Sequence, residues 1–319
     1  MDQNAAGGGS AARRVLLRER GKGPLPVLEY IISGEEAGRT VKSVALKEMR
    51  LSRGQFSSLK FSGGLTLDGQ PVRADVRLRE GQTLCARWQD QGSAALTPYP
   101  GPFEIPFQDD HFLIIDKPAP LPTLCSVRQS GPTLENGLYA RLGCPENFVF
   151  RPVNRLDKGT SGLLAVARDA HAQQLLQRQL HTDAFVREYR AVCLGHLPKK
   201  EGVIDLPIVK GDGVRREIGP GGVRAVTHYR VEAEDQTYSL VRLRLETGRT
   251  HQIRVHLKAL GCPIVGDYVY GEADPRLPGR FALHACFLRF VHPFTGEEIR
   301  RESPLPPELK AQMTAAGSF

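Results

Sequence analysis

The sequence predicts an α+β fold built around a mixed, mainly antiparallel sheet. Residues 224–232 and 239–246 alternate apolar with polar side chains, which is typical of strands that bury one face. Predicted helices and strands follow one another irregularly, which disfavours a doubly wound sheet. The chain has 319 residues, of which 40% are apolar, and this length predicts about two domains.

The first ninety residues predict a tail followed by a small α+β module. Residues 1–20 are rich in Gly, Ala and Ser, and we expect a disordered tail there. Within residues 21–90, Thr40 and Ser52 precede two short amphipathic stretches, and their hydroxyls suit helix N-caps. The predicted elements are a strand at 25–32, helices at 41–49 and 53–61, and a hairpin turning at Asp68-Gly69.

The basic charge of the chain is concentrated in this module. Lys and Arg outnumber Asp and Glu by 43 to 35 overall, a net charge of +8. Residues 11–90 contain 15 basic and 9 acidic side chains, so they hold most of that surplus. A basic segment joined to a near-neutral body is typical of polyanion binding. A merely soluble surface has the same composition, so the charge by itself leaves both interpretations open.

The rest of the chain predicts a linker and a larger second domain. Residues 91–107 contain four prolines and predict a linker, residues 108–312 form the domain, and residues 313–319 form a tail. Asp169 and Thr250 are the expected N-caps of its helices. Its other predicted elements are strands at 112–116, 186–194 and 281–291, helices at 169–181 and 250–260, and a loop or hairpin at 199–223.

Cysteine usage and hydropathy predict a cytoplasmic protein. The six cysteines are scattered and none forms a C-x-x-C pair, so a zinc site or redox motif is disfavoured. No apolar run approaches the ~20 residues of a membrane span. The first residues lack the apolar core of a secretory signal. We therefore expect a protein that stays in the cytoplasm and is not bound to a membrane.

Residues 151–162, RPVNRLDKGTSG, present one carboxylate in a loop ahead of a buried strand. Arg155 and Asp157 flank a single leucine, and the apolar run 163–167 predicts the strand. A polar loop on a rigid element is a common way to present a reactive group. Taken alone, an Arg–Asp ion pair that only holds the turn together is the more common role of such residues.

Two further stretches of the second domain carry candidate functional residues. Residues 246–256, ETGRTHQIRVH, place Arg254 on a predicted helix whose N-terminus suits an anion. Residues 187–191, REYRA, place Tyr189 on a predicted strand. A lone arginine is commonly a surface cation, and a lone tyrosine on a strand is commonly a core residue.

Together the three stretches resemble signatures of the RluA-type pseudouridine synthases. The first resembles the family's His-Arg-Leu-Asp-x-x-Thr-Ser-Gly except that Asn154 replaces the His. The others resemble its Lys-x-Tyr-x-Ala strand, with Arg187 in place of Lys, and its Thr-Gly-Arg-x-His-Gln-Ile-Arg run. The resemblance covers about residues 112–306. It implies a pseudouridine synthase domain at 108–312, an isomerase that converts uridine in RNA to pseudouridine without cofactor or metal.

The resemblance also implies a role for each matched side chain. Asp157 would be the catalytic aspartate, Arg254 would pair with it, and Tyr189 would face the target base. Arg155 would fill the space that this base leaves when it flips out of its stack. The other residues of this domain expected to bind substrate are Asn154, Thr160, Arg249, His251 and Gln252.

The N-terminal module resembles the αL-type RNA-binding module of a small-subunit ribosomal protein, which also occurs in many pseudouridine synthases. The resemblance implies that residues 21–90 bind RNA, with Arg53 and Lys60 on the outer face of a helix. An ordinary small α+β subdomain would have similar residues. The matching positions are Leu51-Ser52, Lys60, Gly64 to Gly69, Val72, Val76 and Gly81.

Three functional classes follow from these residues. The first is a monomeric RNA pseudouridine synthase, with ribosomal RNA favoured over transfer RNA as the substrate. The second is an inactive RNA-binding or ribosome-assembly protein of the same fold, which the intact Asp157, Tyr189 and Arg254 disfavour. The third, a metal-dependent nuclease, needs several convergent carboxylates. It is disfavoured because Asp157 is the one acid between Arg151 and Arg168.

Overall fold

The N-terminal and C-terminal parts of the chain form separate units, each with its own apolar core. The division lies between residues 90 and 91. The computed structural model describes residues 15–17, 27–88, 92, 96–125 and 131–314. Within those ranges, no helix has both the length and the apolar character needed to cross a membrane.

The N-terminal unit is an antiparallel sheet with two short helices. Its strand order is β1-β2-β5-β3-β4, and every ladder in it is antiparallel. The predicted strand, both helices and the hairpin are confirmed. The elements are β1 (Val15–Leu17), β2 (Val27–Ile31), α1 (Val41–Lys47), α2 (Arg53–Ser62), β3 (Leu65–Leu67), β4 (Gln70–Pro71) and β5 (Thr83–Arg87).

The two helices begin and end where local side-chain chemistry allows. Thr40 accepts a hydrogen bond from the backbone N–H of Ser43, so the predicted cap of α1 is confirmed. Ser52 and Gln55 form a reciprocal capping box at the start of α2. Gly63 ends α2 in the left-handed conformation, φ 72°, which glycine adopts without steric cost.

The C-terminal unit contains the larger sheet. Its elements are β6 (Glu104–Gln108), β7 (Phe112–Lys117), α3 (Leu134–Arg141), β8 (Arg151–Pro152), β9 (Ser161–Ala167), α4 (Ala170–Gln177), β10 (Phe185–Leu194), β11 (Glu201–Asp205), β12 (Ile208–Lys210), β13 (Arg216–Ile218), β14 (Val226–Glu234), β15 (Tyr238–Leu245), α5 (Gln252–Ala259), β16 (Leu283–Val291), β17 (Glu298–Glu302) and α6 (Pro307–Thr314). Eight strands follow the order β11-β14-β15-β10-β16-β9-β7-β6. Strand β8 pairs with β9, β17 pairs with β16, and β12 and β13 form a separate hairpin.

Strand β9 lies inside this sheet and is buried on both faces. Leu164 and Val166 pack into one core cluster, whereas Leu163 and Ala165 pack into another on the opposite face. That double burial explains why β9 is a continuous apolar run rather than an alternating one. Its pairing with β16 is the one parallel ladder among the described strands. The mixed, mainly antiparallel α+β fold is thus confirmed.

Several predicted boundaries in both units were wrong. Strand β1 lies inside the predicted tail 1–20, and the remainder of that tail is outside the described residues. Strand β6 lies inside the predicted linker 91–107 and pairs with β7. The stretch 199–223 contains the predicted hairpin, formed by β12 and β13, and in addition strand β11, which was not predicted. Helix α6 extends to Thr314, and the rest of the predicted tail is outside the described residues.

The helix expected at residues 250–260 starts later than predicted. Thr250 is not its cap, because α5 begins at Gln252. His251 holds the N-cap position with φ 59° and makes no side-chain capping hydrogen bond. By contrast Asp169 caps α4 as predicted, accepting from the backbone N–H of Ala172 at 2.7 Å.

Candidate active site

The loop that carries Asp157 is held through its backbone. The Thr123 hydroxyl donates to the carbonyl of Leu156 at 2.7 Å. The backbone N–H of Leu121 donates to the carbonyl of Lys158 at 3.0 Å. Both contacts come from residues that follow β7. The position of the carboxylate is therefore set before any substrate binds.

The buried ammonium of Lys117 ties the same segments together. Its Nζ donates to the carbonyl oxygens of Pro118 and Leu121 at 2.9 and 2.7 Å, and lies 3.5 Å from that of Lys158. Burial lowers the pKa of Lys117 to about 7, and the negative charge of Asp157 acts in the opposite direction. Lys117 thus tethers the Asp157 loop, and its positive charge is only partly kept near neutral pH.

Two glycines let this loop pass close to its neighbours. Gly162 has φ 105°, and a Cβ there would lie 2.3 Å from the carbonyl oxygen of Ala285, where β9 meets β16. A Cβ on Gly159 would lie 2.6 Å from the ring of Phe281. Any side chain at either position would push the Asp157 loop away from its support.

Ser161, at the start of β9, is held by side chains from the last part of the chain. Arg280 Nη2 donates to Ser161 Oγ at 2.9 Å, and that oxygen lies 2.9 Å from His284 Nδ1. His284 Nε2 lies 3.3 Å from the carbonyl of Ser303. Burial lowers the pKa of His284 to about 4, so the neutral ring donates through Nε2 and accepts the Ser161 hydroxyl proton at Nδ1.

Arg254 joins Asp157 to a second, buried aspartate. Its Nη1 donates to Asp157 Oδ2 at 3.1 Å, while Nε and Nη2 donate to the two carboxylate oxygens of Asp267 at 2.7 Å each. The Arg254 and Asp267 side chains are 4% and 1% exposed, whereas that of Asp157 is 30% exposed. Asp157 is thus the reachable carboxylate of the pair, and the bidentate contact to Asp267 fixes the guanidinium plane.

His251 approaches the same oxygen of Asp157 as Arg254 does. Its Nε2 is 3.9 Å from Asp157 Oδ2, and its Nδ1 is 2.8 Å from the hydroxyl of Tyr270. That hydroxyl accepts the backbone N–H of Arg216 at 2.8 Å, so its own proton can be donated to Nδ1. Burial lowers the pKa of His251, against the charge of Asp157. This arrangement favours a neutral ring whose Nε2 proton is directed toward Asp157.

A cavity of ≈ 830 Å³ opens above this cluster. It brings together the nine site residues predicted in the second domain, and the described residues contain no group of three or more His, Cys, Asp or Glu that could hold a metal ion. Arg53 and Lys60 belong to the N-terminal unit. The predicted residues that line the cavity are Asn154, Arg155, Asp157, Thr160, Tyr189, Arg249, His251, Gln252 and Arg254.

Tyr189 and Arg155 differ in how they meet the cavity. Tyr189 is 5% exposed on β10, and burial raises its pKa although the charge of Arg187 opposes the shift. It therefore presents a neutral aromatic ring. Arg155 is exposed and makes no ion pair with another described residue, so its guanidinium is available to a ligand. Both placements suit contact with a nucleotide.

Asn154 and Thr160 are buried polar residues at the base of the Asp157 loop. Asn154 Oδ1 accepts the backbone N–H of Ala165 on β9 at 3.1 Å. Its Nδ2 is buried without a hydrogen-bond partner among the described residues. The Thr160 backbone N–H donates to the carbonyl of Asp157 at 3.1 Å and closes the turn. Asn154 thus keeps one unsatisfied donor group beside the Asp157 loop.

The side-chain amide of Gln252 is fully hydrogen-bonded within the protein. Its Nε2 donates to Val226 O and Thr227 Oγ1, at 2.9 and 3.0 Å. Its Oε1 accepts from Thr247 Oγ1 and from the backbone N–H of Arg249, at 2.9 and 3.0 Å. These four bonds use the whole capacity of a primary amide. Gln252 therefore holds the loop before α5 in place, and its predicted contact with substrate stays a prediction.

Asp267 and Tyr270 contact the candidate site residues and were not predicted from the sequence. Asp267 orients Arg254, and Tyr270 orients His251. Both lie in the loop after α5, where no helical or strand period relates them to Asp157. The available signal was a Gly-Asp pair at 266–267, which is common in turns and carries little information.

Comparison with known proteins assigns the chain to a family. The family described as RNA pseudouridylate synthase matches residues 111–259. "Ribosomal large subunit pseudouridine synthase D" of Xanthomonas campestris is 37% identical over 308 residues, which cover 90% of this chain and 92% of that protein. The chain belongs to the RluA family of RNA pseudouridine synthases.

Other relatives agree with this assignment. "Uncharacterized RNA pseudouridine synthase YjbO" of Bacillus subtilis is 35% identical over 277 residues, covering 85% of this chain and 96% of that protein. The solved structure of human RNA Pseudouridylate Synthase Domain Containing 1 has a TM-score of 0.52 at 30% identity. The match covers 67% of this chain and 89% of the chain in that structure. This pseudouridine synthase is therefore an isomerase that acts on RNA, which excludes the metal-dependent nuclease.

Proposed function

We propose that this pseudouridine synthase modifies ribosomal RNA as a cytoplasmic monomer, with the target uridine flipped into the cavity beside Asp157. One observation carries the proposal. A single accessible carboxylate is held by Arg254, whose guanidinium is fixed from behind by Asp267. A reacting group that is both exposed and rigidly positioned is what isomerisation at one nucleotide requires.

The reaction consists of three events and leaves the atomic composition of the RNA unchanged. The bond between ribose C1′ and uracil N1 breaks, the uracil turns in the cavity, and C1′ bonds to C5. The hydrogen on C5 then leaves as a proton to a base or to water, and N1 takes up a proton, so that the product is an isomer of the substrate. Asp157 is the proposed reacting carboxylate, as nucleophile or as base. Arg254 would hold the Asp157 carboxylate in one orientation throughout the reaction.

The other lining residues suit the handling of a flipped base. Tyr189 would stack on the uracil while it turns, because a buried neutral ring offers an aromatic face without charge. The unpartnered Nδ2 of Asn154 would donate to a uracil carbonyl. Arg155, exposed at the cavity, would occupy the gap left in the RNA, and leaving the stack costs a few kcal/mol.

The description of a relative supports ribosomal RNA as the proposed substrate. The Xanthomonas campestris relative is described as acting on the large ribosomal subunit. Mapping pseudouridines in cells with and without the gene tests the choice. We expect at least one pseudouridine of ribosomal RNA to disappear with the gene. Loss confined to transfer RNA would contradict the proposal for ribosomal RNA.

The outer face of α2 supports RNA binding by the N-terminal unit. Arg53, Lys60 and Phe61 are exposed on α2, whereas Phe56 and Leu59 are buried. Phe61 is 82% exposed, and Lys60 Nζ lies 5.3 Å from the centre of its ring. Cations interleaved with an exposed aromatic ring are typical of surfaces that bind single-stranded RNA.

Replacing Arg53 and Lys60 together by Gln in the full chain is expected to weaken RNA binding and its dependence on salt. Two lost phosphate contacts should reduce the slope of log affinity against log salt by about 1.4, at about 0.7 per contact. The modified uridine should stay the same, because phosphate contacts carry little sequence information. Fluorescence anisotropy at several salt concentrations measures the slope.

The matched control replaces Arg73 and Arg79 by Gln. Both are exposed in the same unit but lie outside α2. This change removes the same charge, and we expect a smaller change in slope. Equal slopes for the two double variants would show that α2 is not a specific RNA surface. Modification of a different uridine would show that the N-terminal unit selects the site.

A further inference from the structure

A buried arginine at the edge of the cavity has no anionic partner. Arg187, on β10, is 7% exposed and forms no ion pair with any described residue. Its Nη2 reaches the carbonyl of Leu180 at 3.4 Å, and its Nε is buried without a partner. The ring of Phe185 lies 5.8 Å from the guanidinium carbon. Of five N–H donors, one makes a long hydrogen bond.

The two acids near Arg187 in the sequence, and the acid two residues before Gly248, are engaged elsewhere. An unpaired buried guanidinium is costly, because its charge has lost the stabilisation by water. A buried guanidinium therefore normally has a carboxylate or phosphate beside it. Burial of an arginine without one therefore points to a ligand that supplies the negative charge. The neighbouring carboxylates pair as Asp183 with Arg244, Glu188 with Arg242, and Glu246 with His228.

The guanidinium is open toward the active-site cavity. Arg187 lines that cavity together with Gln177, His181, Gly248 and Arg249. A Cβ on Gly248 would lie 3.1 Å from Arg187 Nη1, so the missing side chain leaves room beside the donor. Arg249 is exposed on the same rim and adds a second positive charge. The position is accessible to an anion and is lined mainly by donors.

We propose that Arg187 binds a phosphate of the RNA backbone next to the flipped uridine. A phosphodiester accepts two parallel N–H bonds from a guanidinium, which makes it a geometric match. Arg187 and Tyr189 are two positions apart on one strand and line the same cavity, about 7 Å apart along the chain. That spacing suits the phosphate and the base of adjoining nucleotide units. The assignment of the phosphate to the target RNA rests on the proposed function.

Replacing Arg187 by Met tests the proposal in the full chain. Affinity for a short single-stranded oligouridylate should fall about tenfold or more, since hydrogen bonds to charged groups are the strong ones. The slope of log affinity against log salt should decrease by about 0.7. The control is Arg230→Met, an exposed arginine on β14 outside the cavity that carries the same charge. Equal losses in the two variants would overturn the phosphate site.

Thermal stability separates this role from a structural one. Met has similar length and no charge, so Arg187→Met removes an unpaired buried charge and the melting temperature should stay the same or rise. Arg187→Lys, which keeps the charge without the planar fork, should bind with intermediate affinity. A large fall in melting temperature for Arg187→Met would show that the arginine serves the fold, and would overturn the proposal.

Melting temperatures with two ligands distinguish a site for free phosphate from a site for a phosphate of RNA. Oligouridylate should raise the melting temperature of the wild type more than that of Arg187→Met, while inorganic phosphate should affect the two proteins alike. An Arg187-dependent effect of inorganic phosphate as large as that of oligouridylate would overturn the RNA assignment. These measurements need no isomerisation. A protein that binds through Arg187 but forms no pseudouridine would refute the proposed function and leave the phosphate site standing.

Discussion

Replacing Asp157 by Asn is expected to abolish pseudouridine formation while RNA affinity stays within a few-fold of the wild type. Asn has the same shape and keeps a hydrogen-bond acceptor for Arg254, so the cavity should be preserved. It lacks the negative charge of a nucleophile or base, and the rate should fall by at least about a thousandfold. Release of the C5 hydrogen from labelled uridine in RNA measures the reaction directly.

The matched control for this experiment is Asp183→Asn. Asp183 is an exposed carboxylate paired with Arg244, and it does not line the cavity. We expect full activity from that variant. Substantial turnover by Asp157→Asn would show that another group reacts. If the wild type also formed no pseudouridine on any cellular RNA, the inactive RNA-binding protein would be the better interpretation.

Replacing Arg254 by Ala is expected to lower both activity and stability. Without the guanidinium, Asp157 loses the donor that orients it, which should cost about a hundredfold or more in rate. Asp267 would remain buried and unpaired, which should lower the free energy of unfolding by about 3–5 kcal/mol. Urea unfolding and single-turnover kinetics measure the two effects on the same protein.

A double variant separates the two effects of Arg254. Arg254→Met with Asp267→Leu removes both buried charges, so most of the lost unfolding free energy should return. Activity should stay low, because Asp157 is still unsupported. The comparison variant is Arg190→Ala, whose partly exposed pair with Glu232 should contribute about 1 kcal/mol or less. Near wild-type activity in the double variant would show that the ion pair with Asp157 has no catalytic role.

Helix starts that depend on local chemistry were predictable from the sequence. Thr40, Ser52 and Asp169 cap the helices expected of them, because an N-cap needs a side chain and a backbone N–H two or three residues away. The start of α5 was not predictable. His251 adopts a left-handed conformation there, held by Tyr270 from a segment that follows the helix.

Strand β6 was missed for a related reason. Four prolines in residues 91–107 predict a linker, because proline cannot donate a ladder hydrogen bond. Yet β6 lies at one end of the sheet order, and Pro106 sits within it. An edge strand tolerates proline because one side of it has no partner. Whether a strand lies at an edge depends on the strand order of the whole sheet. The amino-acid composition of the strand itself does not reveal that position.

The sequence by itself determined the fold class and the three motifs whose residues line one cavity, because periodicity, caps and motif order are properties of short stretches. Only the tertiary structure decided how the charges of that cavity are paired. Arg254 donates hydrogen bonds both to Asp157, which lies 97 positions before it, and to Asp267, which lies 13 positions after it. Arg187 is buried without an anion. Which charged side chains form ion pairs, and which are buried, depends on the segments that meet in the folded chain. A buried charge without an ion-pair partner has lost water as well, so it can gain from contact with RNA.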